Sequence, residues 1–364
     1  MNAGQVVAVC GAYGHTGRFV VAELRERGFV PLLLGRDAGR LAALARSHPG
    51  TGYRVVSVGD PSSLDAALVG ADAVVNCAGP FAATAAPVIE AALRAGIAYV
   101  DVAAEIEANL DTFTHYTDRA RRAGIPVVPA MAFFGGLGDL LVTTAMEDWT
   151  AADEVHVAYG LSGWHPTAGT LASGTVSRDR RDGRRVRYTG GRLDYHVDES
   201  ALPTLDWDFP APLGRRSVLG GFTMADVVTV PSHLAVPEVH TYMTTQAARE
   251  LAAPGTPAPT AVDGSGRSAQ TFTVDVVVRS GDTWRRRTAS GRDIYAISAP
   301  LAVEAVHRIL DGRTRTTGVA SAGEIFDAPD FLRALSAHLT VAAPDASTTP
   351  LPRPLTAQAR PMGG

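Results

Sequence analysis

Three glycines, at positions 11, 14 and 17, stand between a short run of β-type residues and a helix-forming stretch. The segment reads Val6-Val7-Ala8-Val9-Cys10-Gly11-Ala12-Tyr13-Gly14-His15-Thr16-Gly17-Arg18. A glycine at 11 permits a tight turn after a strand, one at 14 lets a ligand approach the backbone, and one at 17 lets the following helix pack closely on the strand. The helix start then presents unpaired N–H groups and a positive dipole end to an anion. This spacing in this context predicts a Rossmann-type unit whose loop, with Tyr13, His15 and Thr16 between the glycines, cradles a dinucleotide pyrophosphate.

The rest of the N-terminal third repeats the same alternation. Apolar runs at 6–10, 30–34, 53–58, 73–76, 98–102 and 126–130 are separated by helical stretches at about 17–27, 38–47, 62–70, 84–95 and 107–123. Such alternation specifies a doubly wound parallel sheet covered on both faces. Past residue 150 the period changes to two: Val155, Val157 and Tyr159 alternate with His156 and Ala158, and Phe272, Val274, Val276 and Val278 alternate later. The expected fold class is therefore α/β, with a second α+β domain built on a mainly antiparallel sheet. Asp182-Gly183 and Ser280-Gly281-Asp282 are the expected hairpin turns. Residues 251–268 form an expected surface loop. Ser298 is an expected helix cap, and Ser321 with Glu324 and Asp327 with Asp330 have capping-box spacing. The expected divisions are 1–130 for the dinucleotide domain, 131–299 for the substrate domain, 300–340 packing back on the first, and 341–364 as a flexible tail.

At the end of the second strand the chain reads Leu33-Leu34-Gly35-Arg36-Asp37. A carboxylate here would accept the ribose 2′-hydroxyl of NAD; Arg36 instead offers a bidentate fork to a 2′-phosphate, with Gly35 leaving room for it. NADP(H) is the expected cofactor, and Asp37, one residue on, keeps NAD(H) as the alternative. After the fourth strand, Asn76-Cys77-Ala78-Gly79-Pro80 follows; Asn76, Ala78, Gly79 and Pro80 are expected to border the ribose and nicotinamide.

All 33 residues in the Lys+Arg count are arginine. Without lysine there is no Schiff-base chemistry, no Tyr-x-x-x-Lys pair and no Walker A loop. Two cysteines, Cys10 and Cys77, are too few for a disulfide framework or a thiolate zinc site, so no metal is expected and a reducing cytoplasm is. A formal charge of −4 lacks the footprint of a nucleic-acid binder. The longest apolar stretch, 127–146, is broken by Pro129, Gly135, Gly136, Gly138 and Asp139, so it is read as strand, glycine-rich loop and helix start rather than as a membrane span.

These motifs together resemble the saccharopine dehydrogenase-like NADP-binding oxidoreductases, a family that includes trans-acting enoyl reductases. The resemblance rests on residues 11–17, Leu34-Gly35-Arg36, 76–81, Tyr99-Val100-Asp101-Val102-Ala103-Ala104-Glu105, the Gly136-to-Leu140 loop, Gly291-Arg292-Asp293-Ile294-Tyr295 and Thr317-Gly318-Val319. It implies an NADP-binding domain, an inserted sheet domain facing the substrate, and a closing C-terminal segment. The chain departs from the family in the loop before Asp139, where Phe133-Phe134-Gly135-Gly136-Leu137-Gly138 replaces a serine and proline; this loop is expected to face the nicotinamide.

The activity so implied is an NADPH-dependent reductase delivering hydride to a C=N or activated C=C bond of a small or carrier-bound metabolite. An iminium carries its own positive charge, whereas an enolate needs a donor and a proton source. Candidate catalytic residues are Asp101, Asp139 and Tyr99, with Glu105, Tyr159, His165 and His233 as further acids or donors. Arg178, Arg180, Arg181, Arg184, Arg185 and Arg187 are either a solvated hairpin tip or a docking patch for an acidic carrier. An exposed sheet face would allow a homodimer. The alternative function is a catalytically silent NADP(H) sensor or scaffold.

Overall fold

A computed structural model describes residues 4–197 and 201–342. Its first part is laid down as β1 (Val6–Cys10), α1 (His15–Glu26), β2 (Val30–Gly35), α2 (Ala38–Ser47), β3 (Gly52–Val55), α3 (Pro61–Leu68), β4 (Ala73–Asn76), α4 (Phe81–Ala95), β5 (Ala98–Asp101), α5 (Ile106–Ala123) and β6 (Pro126–Val128). β4 and β5 are buried along their whole length, as their unbroken apolar runs require when helices cover both faces. β3 is exposed throughout because it is the sheet edge, which explains why it stops at Val55 rather than 58. Gly96 and Gly124 take left-handed conformations that end α4 and α5.

A π-helical turn (Phe133–Leu137) leads into α6 (Gly138–Met146) and a second sheet. There follow β7 (Glu154–Leu161), α7 (Ala168–Arg180), β8 (Arg185–Thr189), β9 (Arg192–His196), β10 (Thr204–Asp208), β11 (Arg215–Gly220), α8 (Asp226–Thr229), β12 (Glu238–Thr244), α9 (Thr245–Ala252), β13 (Thr271–Ser280) and β14 (Thr283–Arg292). The chain closes with α10 (Ser298–Leu310), β15 (Gly318–Val319), α11 (Ala322–Ile325), α12 (Ala328–Ala334) and β16 (Thr340–Val341).

The first sheet runs β15-β6-β5-β4-β1-β2-β3 and every pairing in it is parallel. The crossover from β3 to β4 reverses the strand order beside β1, which opens the crevice above β1 and β4. The second sheet runs β10-β11-β12-β7-β13-β14-β16, with β8 and β9 off its path, and is antiparallel except for β12 against β7. One apolar cluster runs from Val7 and Val9 through Phe133 and Leu137 to Val274 and Leu301, so both sheets share a core. Among the described residues no helix is long and apolar enough to cross a membrane.

Several local expectations are corrected. Asp182-Gly183 joins a helix to a strand; the tight turn between β8 and β9 is Gly190-Gly191, both with positive φ. Ser298 lies inside α10 and links Phe133 N to Ile294 O instead of capping. Only half of the Ser321/Glu324 box forms: the Glu324 carboxylate meets Ser321 N, while Ser321 Oγ is buried without a partner among the described residues. Asp327 does cap α12 through Asp330 N. The segment assigned to the tail begins as β16, which pairs with β14; 343–364 lies outside the described residues.

Candidate functional site: a dinucleotide crevice between two domains

The glycine loop is closed so tightly that a side chain at Gly11 or Gly17 would run into backbone. A Cβ on Gly11, whose φ is +73°, would lie 2.9 Å from Ala78 Cα; one on Gly17 would lie 2.3 Å from Gly11 O. Gly14 precedes α1 without any side-chain cap, so the first-turn N–H groups face the crevice unpaid for by the protein itself. A pyrophosphate fits that cradle.

At the adenosine end, a Cβ on Gly35 would run into the Tyr13 ring at 2.5 Å. Tyr13 Oη accepts from Arg36 N at 3.3 Å, and the guanidinium of Arg40 lies 4.3 Å over the same ring. Arg36 and Arg40 are both exposed. Two exposed arginines thus stand where the second strand ends, one of them over the Tyr13 ring, an arrangement suited to a 2′-phosphate. Asp37 accepts from Arg40 N at 3.0 Å as the cap of α2. That use removes the one carboxylate on which the NAD alternative rested. Arg40 was not singled out in the sequence, because only the fold of α2 brings it back over Tyr13.

Beyond β4, Asn76 is fully buried and fixes the crevice wall from behind. Its Oδ1 accepts from Ala78 N at 3.1 Å, and its Nδ2 donates to Thr84 Oγ1 and Tyr99 Oη. Gly79 and Pro80 form the accessible part of that wall. Tyr99 Oη donates to Asp101 Oδ2 at 2.8 Å, while Asp101 Oδ1 accepts from Ala103 N and Ala130 N. Burial pushes the Asp101 carboxyl up to about 6 against those donors. Glu105 accepts from Phe81 N at 2.7 Å and Ala82 N at 2.9 Å, at the start of α4.

Asp139 is brought to a separate place. It is fully buried at the start of α6, where Oδ1 meets His233 Nε2 at 2.8 Å and Oδ2 accepts from Gly323 N at 2.6 Å. Burial opposes a charge on His233, but the Asp139 charge and hydrogen bond, with Glu324 behind, raise it above its ordinary value. Beside this pair Tyr159 Oη donates to Asp226, whose carboxyl burial pushes up to about 7. Asp226 carried no sequence signal. The structure therefore joins Tyr99 to Asp101 but not to Asp139, and all three are buried with partners. The 133–138 loop is likewise buried, under Tyr159 and Trp164. His165 is exposed.

The arginines after residue 177 mostly pair within the protein. Arg180 reaches Asp111 at 2.8 Å and Arg181 reaches Glu107 at 3.4 Å, both on α5, while Arg184 and Arg187 pair with Asp182 and Asp194. Arg180 and Arg181 fasten α7 to α5, while the other two pairs are local.

Residues 7–128 match the family model for the saccharopine dehydrogenase NADP-binding domain. This part of the chain is thus a saccharopine dehydrogenase-type NADP-binding domain. It is 31% identical over 142 residues to a probable mitochondrial saccharopine dehydrogenase-like oxidoreductase of Arabidopsis thaliana, a match covering 35% of this chain and 31% of that protein. A Bos taurus saccharopine dehydrogenase-like oxidoreductase is 26% identical over 145 residues, covering 35% and 34%. The chain thus spans about a third of the length of the curated relatives it matches. In fold it is similar to apo saccharopine dehydrogenase (L-Glu forming) from Saccharomyces cerevisiae, with a TM-score of 0.62 over 93% of this chain and 100% of that one at 12% identity. That likeness is one of fold and takes in both sheets.

Proposed function

We propose that this chain is an NADPH-dependent reductase that transfers hydride to a C=N or activated C=C bond of a small or carrier-bound metabolite. The observation that supports the reading is the crevice itself: a tight glycine turn before an uncapped helix start, two exposed arginines at the end of the second strand, and a second sheet sharing its core with the first. NADPH, when bound, supplies the hydride. The protein's part is to hold it. Gly11, Gly14 and Gly17 with the α1 N-terminus bind the pyrophosphate, Gly35, Arg36 and Arg40 select the 2′-phosphate, and Ala78, Gly79 and Pro80 border the nicotinamide half. Asn76, Tyr99 and Asp101 keep that border in place from beneath, and Asp139 anchors α6 to His233; we read these as positioning residues.

Purified protein should deplete NADPH absorbance with at least one member of a panel of cyclic imines, iminium ions and enoyl thioesters, free and carrier-bound. A silent sensor is the second reading, favoured by the occupied hydrogen-bonding capacity of Tyr99, Asp101 and Asp139. Tight NADPH binding with no turnover across the panel would select it. The paired arginines favour a free substrate over a carrier-bound one; a homodimer and a cytoplasmic location complete the proposal, checked by light scattering and by fractionation.

A further inference from the structure

We propose that α7, an element of the second domain, forms part of the NADP site, with the Ser173 hydroxyl as a direct contact for the nicotinamide half and Tyr295 as the residue that positions it. The proposal rests on the crevice being an NADP site. A Cβ built on Gly79 would stand 3.0 Å from Ser173 Oγ, so α7 lies directly over the accessible end of the β4 turn. Any molecule resting on Gly79 must touch this hydroxyl. Ser173 Oγ has no hydrogen-bond partner among the described residues, leaving it free for a ribose hydroxyl or the carboxamide.

Both ends of α7 are pinned to the first domain. At its start Thr167 caps through Thr170 N at 3.1 Å. The Tyr295 hydroxyl accepts from Trp164 Nε1 at 3.1 Å and Thr167 N at 3.2 Å, which occupies its lone pairs and leaves its own proton for Thr170 Oγ1 at 2.9 Å or the His165 carbonyl at 3.5 Å. The Tyr295 ring meets His15, the first residue of α1, edge-on with centroids 5.2 Å apart. One side chain therefore ties the pyrophosphate loop to the start of α7. At its far end Ser177 Oγ donates to Glu107, beside the Arg181–Glu107 and Arg180–Asp111 pairs. Between the pins, residues 168–176 carry no charge although most are exposed. A helix merely facing water would normally carry charged residues there; a neutral, hydroxyl-bearing span suits a sugar and a nicotinamide.

The test compares NADPH with 2′,5′-ADP, which lacks the nicotinamide half, by calorimetric titration of the full chain. Ser173→Ala should weaken NADPH about five- to tenfold, the effect of one neutral hydrogen bond, and leave 2′,5′-ADP unchanged. Ser173→Leu, filling the space at Gly79, should weaken NADPH by about a further tenfold or more, again sparing the fragment. Tyr295→Phe should behave like Ser173→Ala. Wild-type affinity for NADPH in Ser173→Leu, or equal losses for both ligands, would overturn the proposal. Failure of the unaltered chain to bind either ligand would instead overturn the cofactor reading beneath it.

Discussion

At the scale of single residues, the proposed cofactor choice turns on two guanidiniums and one capping carboxylate. Arg36 and Arg40 are both exposed, Arg36 meeting the Tyr13 hydroxyl through its backbone N–H and Arg40 lying over the ring, and Asp37 caps α2. Replacing both arginines by serine should weaken NADPH by about a hundredfold or more, because charge-assisted contacts contribute about 1.5–3 kcal/mol each, and should leave NADH within about threefold. Parallel titrations with the two cofactors measure this. Asp226 carries a pH signature. Its folded carboxyl titrates at about 7 because burial disfavours the charge, against an ordinary value of 3.8. Between those values the native state holds a proton that the unfolded chain has released, so stability falls as pH rises from about 4 to about 7. His233, also raised, acts in the same sense: its contribution is present at low pH and lost as pH climbs through its folded value. Asp226→Asn should flatten the decline, seen as a smaller drop in Tm across that window; an unchanged slope would assign the decline elsewhere. Arg36 was legible in the sequence by its place after a strand. Arg40 and Asp226 were not, since their roles come from neighbours distant along the chain.

At the scale of elements, two helices of the first domain begin with chemistry that can be read locally, and α4 does not. Asp37 and Asp60 cap α2 and α3 from the adjacent position. α4 begins after Pro80, with no local side-chain cap. Its first two N–H groups are met by Glu105, which is 5% exposed and comes from the end of the next strand unit. Sequence marked Glu105 as a possible acid; its position makes it a remote cap. Glu105→Ala should cost about 1–2 kcal/mol, as cap removal does when helix donors are left buried, and should shift Tm without altering the affinity for 2′,5′-ADP at the opposite end of the crevice. The Gly190-Gly191 turn and the correction at Asp182-Gly183 have a common cause. Either pair can supply positive φ, and only the length of α7 decides which one lies between strands.

At the scale of the whole molecule, the C-terminal segment returns to close the first domain. α10 lies against α1, and β15 extends the parallel sheet beside β6. Glu304 is the polar centre of that return: it is 3% exposed and pairs with Arg27 of the first domain and with Arg308, which in turn reaches Asp330 on α12 at 2.9 Å. Glu304→Ala would leave Arg308, 2% exposed, with much of its compensation gone. Breaking a buried pair in this way costs about 3–5 kcal/mol. Urea unfolding should show that loss, with Glu304→Gln intermediate; a loss under about 1 kcal/mol would show that water or Asp330 alone suffices for Arg308.

The sequence by itself determined the dinucleotide domain, because a glycine spacing, a strand period and an arginine after Gly35 are local features whose physical meaning depends on few neighbours. It also determined that the second domain is a sheet, through alternation along β7 and β13. Only the tertiary structure decided which acids are free and which are committed. Asp101, Glu105 and Asp139 are all carboxylates in the sequence, yet each accepts at least one hydrogen bond from a donor distant along the chain. The same is true of α7: nothing in residues 168–180 announces a cofactor, and it becomes a candidate only because folding sets Ser173 over Gly79.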